Sequence, residues 1–387
     1  MDLINNKYEC CGCTACANIC SRNAITMCED NEGFKYPQID SSLCVNCGLC
    51  RKVCPLKGKK EPDTNHIPIV YSAKNKDFSI RMQSTSGGIF SVLCKKIIEK
   101  GGAVYGAVFD DGMNVIHARA STLEACKKFR GSKYVQSDLS NTYRQIENDL
   151  QHGLFVLFSG TPCQCDGLKS YLNAKKVDLK KIILCDLVCH GVPSPKVWED
   201  YINYIKQKGE IIDYKFRDKE LGWHGANISV NYADGVVERN TLRVKSYSTL
   251  YFGQYITRPS CEKCLYANFD RCSDITIGDF WGIEKVKPEF DDNNGVSLIL
   301  LNTEKGKNFF KEIRDDIEYF DSSTSECMQE QLQKPPKAIK QRKAFWEYYE
   351  KHSYFFVARK FARCGFYGHC RHLLGQLLKK VKKHIKI

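Results

Sequence analysis

Long apolar runs are missing from this sequence of 387 residues. The longest, Leu154–Phe158 and Val296–Leu301, are far shorter than the roughly 20 residues that a membrane-spanning helix needs. The amino-terminal segment MDLINNKYECC also lacks the basic start and the apolar stretch of a secretory signal. The sequence therefore predicts a cytoplasmic protein with no membrane-spanning helix.

Two other features are scarce. The sequence contains no Walker A motif and no G-x-G-x-x-G run after a predicted strand, so a Rossmann domain that binds a nicotinamide cofactor is not supported. Acidic residues are rare near the carboxyl-terminal end, where residues 337–387 hold fourteen Lys or Arg but only two Glu. The net charge of +13 therefore belongs to this tail, and the rest of the chain is close to neutral.

Cysteine, in contrast, is abundant. The chain has 22 cysteines, and ten of them lie within the first 54 residues. In a protein without secretory features, this density indicates metal or redox chemistry rather than disulfides. Eight of the ten form two copies of a C-x2-C-x2-C-x3-C motif, 34 residues apart: Cys10, Cys13, Cys16 and Cys20, then Cys44, Cys47, Cys50 and Cys54.

This spacing is typical of two 4Fe–4S clusters, because one tight loop supplies three thiolates to a cluster and the other motif supplies the fourth. We assign the first cluster to Cys10, Cys13, Cys16 and Cys54, and the second to Cys44, Cys47, Cys50 and Cys20. Zinc is disfavoured, since zinc sites prefer two C-x2-C pairs separated by a longer loop. Cys11 and Cys28 belong to neither set, and we expect them to be small buried thiols.

Residues 1–57 resemble the bacterial two-cluster ferredoxins, except that Ser21 stands where those have proline. A polar linker at residues 58–68 marks the first domain boundary. Strand patterns then cover Ile69–Ala73, Val104–Phe109, Leu154–Ser159 and Ile182–Val188, and helix patterns cover Gly87–Glu99, 166–172 and Pro195–Lys208. This alternation predicts an α/β domain with a mixed sheet, and residues 210–256 predict antiparallel strands.

Several segments of the second domain could hold a bound group. The loop STSGGIF (84–90) opens a helix, and its N–H groups could hold a phosphate or merely start a capped helix. Lys133, in FRGSKYVQSDL (129–139), could place a positive charge on a cofactor or lie in an exposed turn. Thiols in GTPCQ and CHGVPSP follow two predicted strands, where ligands of open sheets gather. The C-x2-C pair of RPSCEKC fits zinc, a cluster or a redox pair.

GTPCQ, CHGVPSP, FRDKELGW (216–223), RPSCEKC (258–264) and SDITIGDFWG occur in this order after the ferredoxin-like segment. The set resembles the coenzyme F420 hydrogenase/dehydrogenase β-subunit family over residues 1–320. Members of that family carry FAD and iron–sulfur clusters, and they pass electrons between one-electron clusters and a two-electron partner. The resemblance therefore implies an iron–sulfur flavoprotein oxidoreductase with a ferredoxin-type electron donor or acceptor and a small-molecule substrate. Coenzyme F420 is a candidate second cofactor, and bacterial members tend to accompany surface-polysaccharide genes.

The resemblance also implies site residues. Ser86, Gly87 and Gly88 would meet the flavin pyrophosphate, with Lys133 and Thr161 nearby. Cys163, Cys189, Cys261 and Cys264 would hold a third 4Fe–4S cluster, with Cys272 and Cys165 in reserve; zinc and unligated thiols are the alternatives. His190 could donate protons to a substrate or be structural, and no catalytic residue is assigned.

The predicted fold class is α+β. A ferredoxin domain (1–57) precedes an α/β flavin-binding domain with a mixed sheet, in two parts (69–150 and 151–330), and a basic helical tail (335–387). The tail's last segment, 373–387, predicts an amphipathic basic helix. It suits peripheral contact with an anionic membrane or an acidic partner, or packing on the body, whereas no nucleic-acid partner is expected. Nearby, Cys364, Cys370, His369 and His372 are spaced poorly for a metal site, and we expect a structural role for them.

Two other functions fit the same cysteines. The chain could be a non-catalytic electron-relay subunit of a larger redox complex, which would bind clusters but show no turnover alone. It could also be a redox sensor, which needs clusters but no flavin.

Overall fold

The computed structural model describes residues 3–57, 63 and 66–364. The strands are β1 (Ile25–Glu29), β2 (Lys35–Ile39), β3 (Ile69–Asn75), β4 (Ala103–Phe109), β5 (Val115–Ala120), β6 (Val156–Gly160), β7 (Ile182–Leu187), β8 (Ile211–Lys215), β9 (Ser229–Tyr232), β10 (Val237–Arg239), β11 (Ile275–Asp279), β12 (Ser297–Leu301) and β13 (Ile317–Ser322). The helices are α1 (Ala15–Ile19), α2 (Leu49–Lys52), α3 (Phe78–Met82), α4 (Ile89–Glu99), α5 (Leu123–Cys126), α6 (Thr142–Gln151), α7 (Pro162–Ala174), α8 (Pro195–Lys206), α9 (Leu242–Phe252), α10 (Ile283–Val286), α11 (Glu304–Lys311), α12 (Arg342–Tyr349) and α13 (Tyr354–Phe361).

The central sheet has eight strands in the order β13-β3-β12-β11-β7-β6-β4-β5. β4, β6, β7 and β11 run parallel to one another, and the outer strands pair antiparallel. The predicted mixed sheet is therefore confirmed. Because the four parallel strands end at one edge, the residues that follow them are brought together there.

Two more layers surround this sheet. The cysteine-rich segment folds as the hairpin β1–β2 with α1 and α2, and its Cys13, Ala15, Ile19 and Val53 share one apolar core with α6, α7 and β6. The small antiparallel sheet β10-β9-β8 packs with α8, α9, α12 and α13 around Trp198. The ferredoxin-like segment is thus docked on the body through buried side chains rather than tethered to it by the linker alone.

Two sequence predictions need correction. Residues 242–252, expected to be a strand, form α9, because Thr241 caps the helix and Val244, Tyr247 and Tyr251 recur at helical spacing on the buried side. The helix expected at 166–172 begins earlier, at Pro162, because Thr161 and Gln164 form a capping box before it.

None of the helices in the described ranges is both long and apolar enough to cross a membrane. Most of the predicted linker and all of residues 365–387, including the basic helix and Cys370, His369 and His372, lie outside the described residues. Cys364, which is described, donates its thiol to the Leu242 carbonyl at 3.0 Å, as a structural thiol would.

Candidate iron–sulfur and flavin sites

The two cysteine motifs repeat in backbone geometry as well as in sequence. Gly12 and Thr14 of the first motif have φ of +72° and +61°. Asn46 and Gly48, 34 residues later, have φ of +55° and +75°. Left-handed residues at matching positions turn the chain back on itself, so the successive thiols of each motif face one centre.

We call the four thiols assigned to the first cluster (Cys10, Cys13, Cys16 and Cys54) the first set. Of these, Cys13 and Cys16 are buried, and Cys10 and Cys54 are partly buried. Burial raises the pKa of Cys16, and the neighbouring Cys10 and Cys54 thiols raise it further. Cys13, which is 7% exposed, packs against α7 so closely that a Cβ on Gly167 would lie 2.9 Å from its Sγ. The structure thus brings Cys54 of the second motif to the thiols of the first.

The second set, which is the four thiols assigned to the second cluster, surrounds a cavity of about 250 Å³ near the surface. Cys20, Cys44, Cys47 and Cys50 all line it, together with Ile25, Ile39 and Leu49. Cys20 of the first motif therefore lies with three thiols of the second. This exchange of fourth cysteines between motifs is the one that the spacing predicts.

The third set consists of the four cysteines predicted to hold a third cluster. Two of them lie at the edge of the sheet where the parallel strands end. Cys163 lies in the first turn of α7, directly after β6, and Cys189 follows the neighbouring strand β7. The Thr161 hydroxyl lies 3.2 Å from Cys163 Sγ. The sheet order alone therefore places two of the four predicted thiols side by side.

The C-x2-C pair, Cys261 and Cys264, reaches this edge through a backbone pairing. Pro193, just after Cys189, forms an antiparallel bridge with Thr257. Gly191 makes the approach possible, because its φ is +91° and a Cβ there would lie 2.6 Å from Thr257 Cγ2.

The four thiols act on one another electrostatically. Burial raises the pKa of Cys189 to about 12, and Cys163 and Cys264 add to this rise. Burial also raises the pKa of Cys261, with contributions from Cys189, Cys264 and Cys163. All four predicted ligands are therefore close together. Of the two reserve residues, Cys165 is fully buried in the core, and Cys272 donates its thiol to the Pro162 carbonyl, next to Cys163.

A buried arginine that the sequence did not suggest lies beside this set. The Arg271 side chain is 1% exposed, and its positive charge lowers the pKa of Cys189. Its Nη1 lies 3.7 Å from Asp186, but within the described ranges its Nε and Nη2 have no hydrogen-bond partner. Buried guanidinium N–H groups without a partner are costly, so they indicate a missing acceptor such as cluster sulfur.

The spacing of the thiols bears on the choice of metal. Throughout residues 3–57, 63 and 66–364, no three cysteine sulfurs lie within 4.8 Å of one another. Four thiolates on one zinc ion would be roughly 3.8 Å apart, given Zn–S bonds of about 2.3 Å. A cubane permits wider spacing than a zinc ion, since each thiolate there binds a different iron.

Cys11, expected to be an inert thiol, joins two of these sets. Its thiol contacts both Cys13 of the first set and Cys163 of the third. Gln136 fixes its position by donating to the Cys11 carbonyl at 3.0 Å. No sequence spacing could have shown this contact, because Cys11 and Cys163 are far apart in the chain.

The predicted flavin residues are only partly brought together. Ser132 donates its N–H to Thr85 Oγ1 at 2.8 Å, which joins the Lys133 loop to the Ser86–Gly88 loop. However, the Ser86 hydroxyl donates to the Val296 carbonyl, and the Gly87 N–H donates to Ser297 Oγ. These two groups hold the loop on β12, so they are not available to a pyrophosphate.

Lysines supply charge near the same loop. Lys219, from FRDKELGW, is 6% exposed, and its Nζ donates to the Ser86 and Asn294 carbonyls at 2.7 Å. Burial and the nearby Arg81 lower the pKa of Lys219 to about 7. Burial also lowers the pKa of Lys133 to about 7, and its Nζ donates to the Arg130 carbonyl at 3.0 Å.

Comparison with family models identifies both parts of the chain. Residues 155–324 match the carboxyl-terminal part of the coenzyme F420 hydrogenase/dehydrogenase beta subunit. Residues 9–57 match the 4Fe–4S dicluster domain, so the resemblance drawn from the motifs is confirmed for both parts. A dicluster domain joined to this β-subunit domain gives the chain an electron-transfer, redox role.

A comparison with solved structures finds a distant neighbour. A chain of the F420-reducing [NiFe] hydrogenase complex from Methanosarcina barkeri is 18% identical, with 68% of this chain and 85% of that chain covered and a TM-score of 0.48. A comparison with curated proteins finds no match.

Proposed function

We propose that the protein is an iron–sulfur flavoprotein oxidoreductase. It passes electrons between a ferredoxin-type partner and a small molecule that gains or loses two electrons. The observation that carries this proposal is the convergence of Cys163, Cys189, Cys261 and Cys264 at the sheet edge, beside Arg271 and the dicluster domain. A dicluster domain alone only relays electrons, whereas this arrangement connects it to the domain that would hold a substrate.

The charges at this edge favour a third 4Fe–4S cluster. Burial and neighbouring thiols raise the pKa of Cys189 and Cys261, so these thiols stay deprotonated only if a positively charged group binds them. Arg271 adds one buried positive charge on the same side, and two of its nitrogens, Nε and Nη2, have no hydrogen-bond partner among the described residues. A bound iron–sulfur cluster would compensate the negative charge of the thiolates, and its sulfur atoms would accept hydrogen bonds from the Arg271 guanidinium.

A flavin fits the neighbouring loops through its phosphates. Lys219 is buried, and among the described residues it forms no ion pair with a carboxylate. An anion there would keep the ammonium charged, which offsets the cost of burying it. We assign the positive charges of Lys219, which the sequence did not suggest, and Lys133 to the flavin phosphates, with Gly88 at the start of α4. Each lysine already donates to three backbone carbonyls, so it would act on the phosphates through its charge rather than through a hydrogen bond.

When bound, the flavin would supply the conversion between two-electron and one-electron transfer. The chain's own groups at this edge would then orient and shield the reaction. Trp281 stacks on Trp223 at 4.9 Å, and Asp279 accepts from Trp223 Nε1 and from Arg217. Burial lowers the pKa of the neighbouring His190, which favours its neutral imidazole. Coenzyme F420 and a polysaccharide-linked substrate are not part of the proposal.

Replacing Lys219 with methionine tests the flavin assignment. We expect flavin content to fall several-fold, because the buried charge that faces the phosphates is removed, while iron content stays at the wild-type level. Flavin released by acid and iron per chain are the measurements. Lys95→Met is the matched control, since Lys95 forms exposed ion pairs with Asp316 and Glu99, away from the flavin loops. Full flavin in Lys219→Met would contradict the assignment.

The second cluster set faces the surface on which we place the ferredoxin-type partner. Cys47 is exposed, and Leu43, Val45 and Leu49 around it are 49%, 56% and 37% exposed. We call these three side chains the apolar patch. Three exposed basic residues lie at its margin: Arg22, Arg51 and Lys52. An apolar centre with a basic rim fits a small acidic electron carrier.

Reversing two charges at this margin tests the docking site. In Arg22→Glu/Lys52→Glu we expect reduction by an acidic ferredoxin to slow by about tenfold at low salt, with the difference shrinking as salt rises. Reduction by a small neutral dye stays unchanged, which separates docking from cluster damage. Lys180→Glu, at a lysine 89% exposed elsewhere, is the control. Equal rates with ferredoxin at low salt would place the partner on another surface.

A further inference from the structure

Arg258 is a fully buried cation at the junction of the two domains. Its guanidinium lies 4.4 Å from the centre of the Tyr36 ring. It begins the RPSCEKC segment, so it stands three residues before Cys261 of the third set. It is also electrostatically coupled to Cys10 of the first set and to Cys261.

Its hydrogen bonds all reach neutral groups or sulfur. Nε donates to the Cys10 carbonyl at 2.8 Å, Nη1 to Gln136 Oε1 at 2.9 Å, and Nη2 to the Lys35 carbonyl at 2.9 Å. Nη2 also lies 3.5 Å from Cys10 Sγ, within hydrogen-bond reach of a thiolate. Among the described residues no carboxylate pairs with this guanidinium, so a cluster thiolate is the anion that it faces.

We infer that Arg258 is a positioning residue that raises the reduction potential of the cluster held by Cys10, Cys13, Cys16 and Cys54. Reduction adds one electron to that cluster, and a buried cation with an N–H···S bond stabilises the added negative charge. The inference rests on the proposed function only in requiring that the clusters are bound. The effect does not extend to the second set, because the cavity of that set is lined by other residues.

A raised potential of the first cluster would favour electron transfer to the inner side of the dicluster domain. The first set packs against α7, and the second set lies beside the apolar patch at the surface. An electron entering at the surface would then move inward, from the second set to the first, in the direction of the Cys163 thiol that Cys11 contacts. Arg258 would favour this direction by raising the reduction potential of the first cluster.

The test is a potentiometric titration followed by electron paramagnetic resonance on the full chain and on Arg258→Gln and Arg258→Lys. In Arg258→Gln we expect the transition of the first cluster to shift to lower potential by about tenfold in its equilibrium constant, or about 59 mV for one electron, with that of the second cluster unchanged. Arg258→Lys keeps the charge and recovers part of the shift. Arg342→Gln removes a second arginine that ties the domains together, through Glu32 at 2.8 Å, without touching sulfur.

Three results would overturn the inference. One is an unchanged set of transitions in Arg258→Gln with full iron content. Another is a common shift of all transitions, which a general loosening of the fold would cause and which Arg342→Gln would reproduce. If Arg258→Gln loses iron, the decision falls on Arg258→Lys, where an unshifted first cluster would contradict the inference. Iron missing from the wild type would instead contradict the proposed function.

Discussion

Replacing Cys189 with serine is expected to remove about four iron atoms per chain and to abolish electron transfer from the substrate side. Cys189 is the thiol on which Cys163, Cys264 and Arg271 all act, and it follows β7 at the edge where the sets meet. A cubane that loses one of its four thiolate ligands binds the protein much more weakly. The two dicluster centres keep their own cysteines, so their signals remain. Iron and sulfide content, with turnover of a one-electron dye, measure the result.

Cys327→Ser is the matched control for that experiment. Cys327 is 1% exposed and donates only to the Thr324 carbonyl, so it is a buried thiol outside all three sets. We expect it to keep full iron and activity with a small loss of stability. If Cys189→Ser also keeps full iron, the convergence of thiols at the sheet edge is structural, and the interpretation as an electron-relay subunit takes the place of the enzyme.

Replacing Gly12 with alanine is expected to release iron from the first set, whereas Gly48→Ala keeps it. Both glycines have φ above +70°, so both substitutions cost roughly 1–2 kcal/mol in backbone strain. A Cβ on Gly12 would also lie 2.6 Å from Gln136 Nε2 and 2.8 Å from Arg258 Nη1, whereas a Cβ on Gly48 meets nothing within 4 Å. The difference in stability and iron content between the two variants therefore measures how much the close packing of the dicluster domain against Gln136 and Arg258 contributes. Thermal unfolding and iron content measure it, and equal losses would show that strain alone decides.

Local features of the molecule could be predicted from the sequence. The two motifs specify which thiols share a loop, and the exchange of Cys20 and Cys54 follows from the repeat. Strands such as β4 and β7 were visible as short apolar runs because both faces of the sheet are covered. Segment 242–252 was misread because its aromatic and β-branched residues favour strands, and only packing around Trp198 makes it helical.

Contacts between distant segments could not be predicted in the same way. Arg258 and Arg271 lie in loops with no motif that marks a cluster partner, and their roles depend on which thiols the fold brings beside them. Ser86 and Gly87 show the opposite case. Their small side chains suggested a phosphate loop, but the Ser86 hydroxyl donates to Val296 and the Gly87 amide donates to Ser297. Lys219, which contacts the same loop, is the charge that we propose instead.

In the proposed function three clusters and a flavin share this chain, and one measurement tests this most directly. The full chain is purified without oxygen, and iron, acid-labile sulfide, zinc and flavin are counted per chain. We expect about 12 iron atoms with matching sulfide, one FAD and little zinc. About 8 iron atoms with one zinc and no flavin would contradict the proposal, leaving a dicluster domain beside a structural metal site.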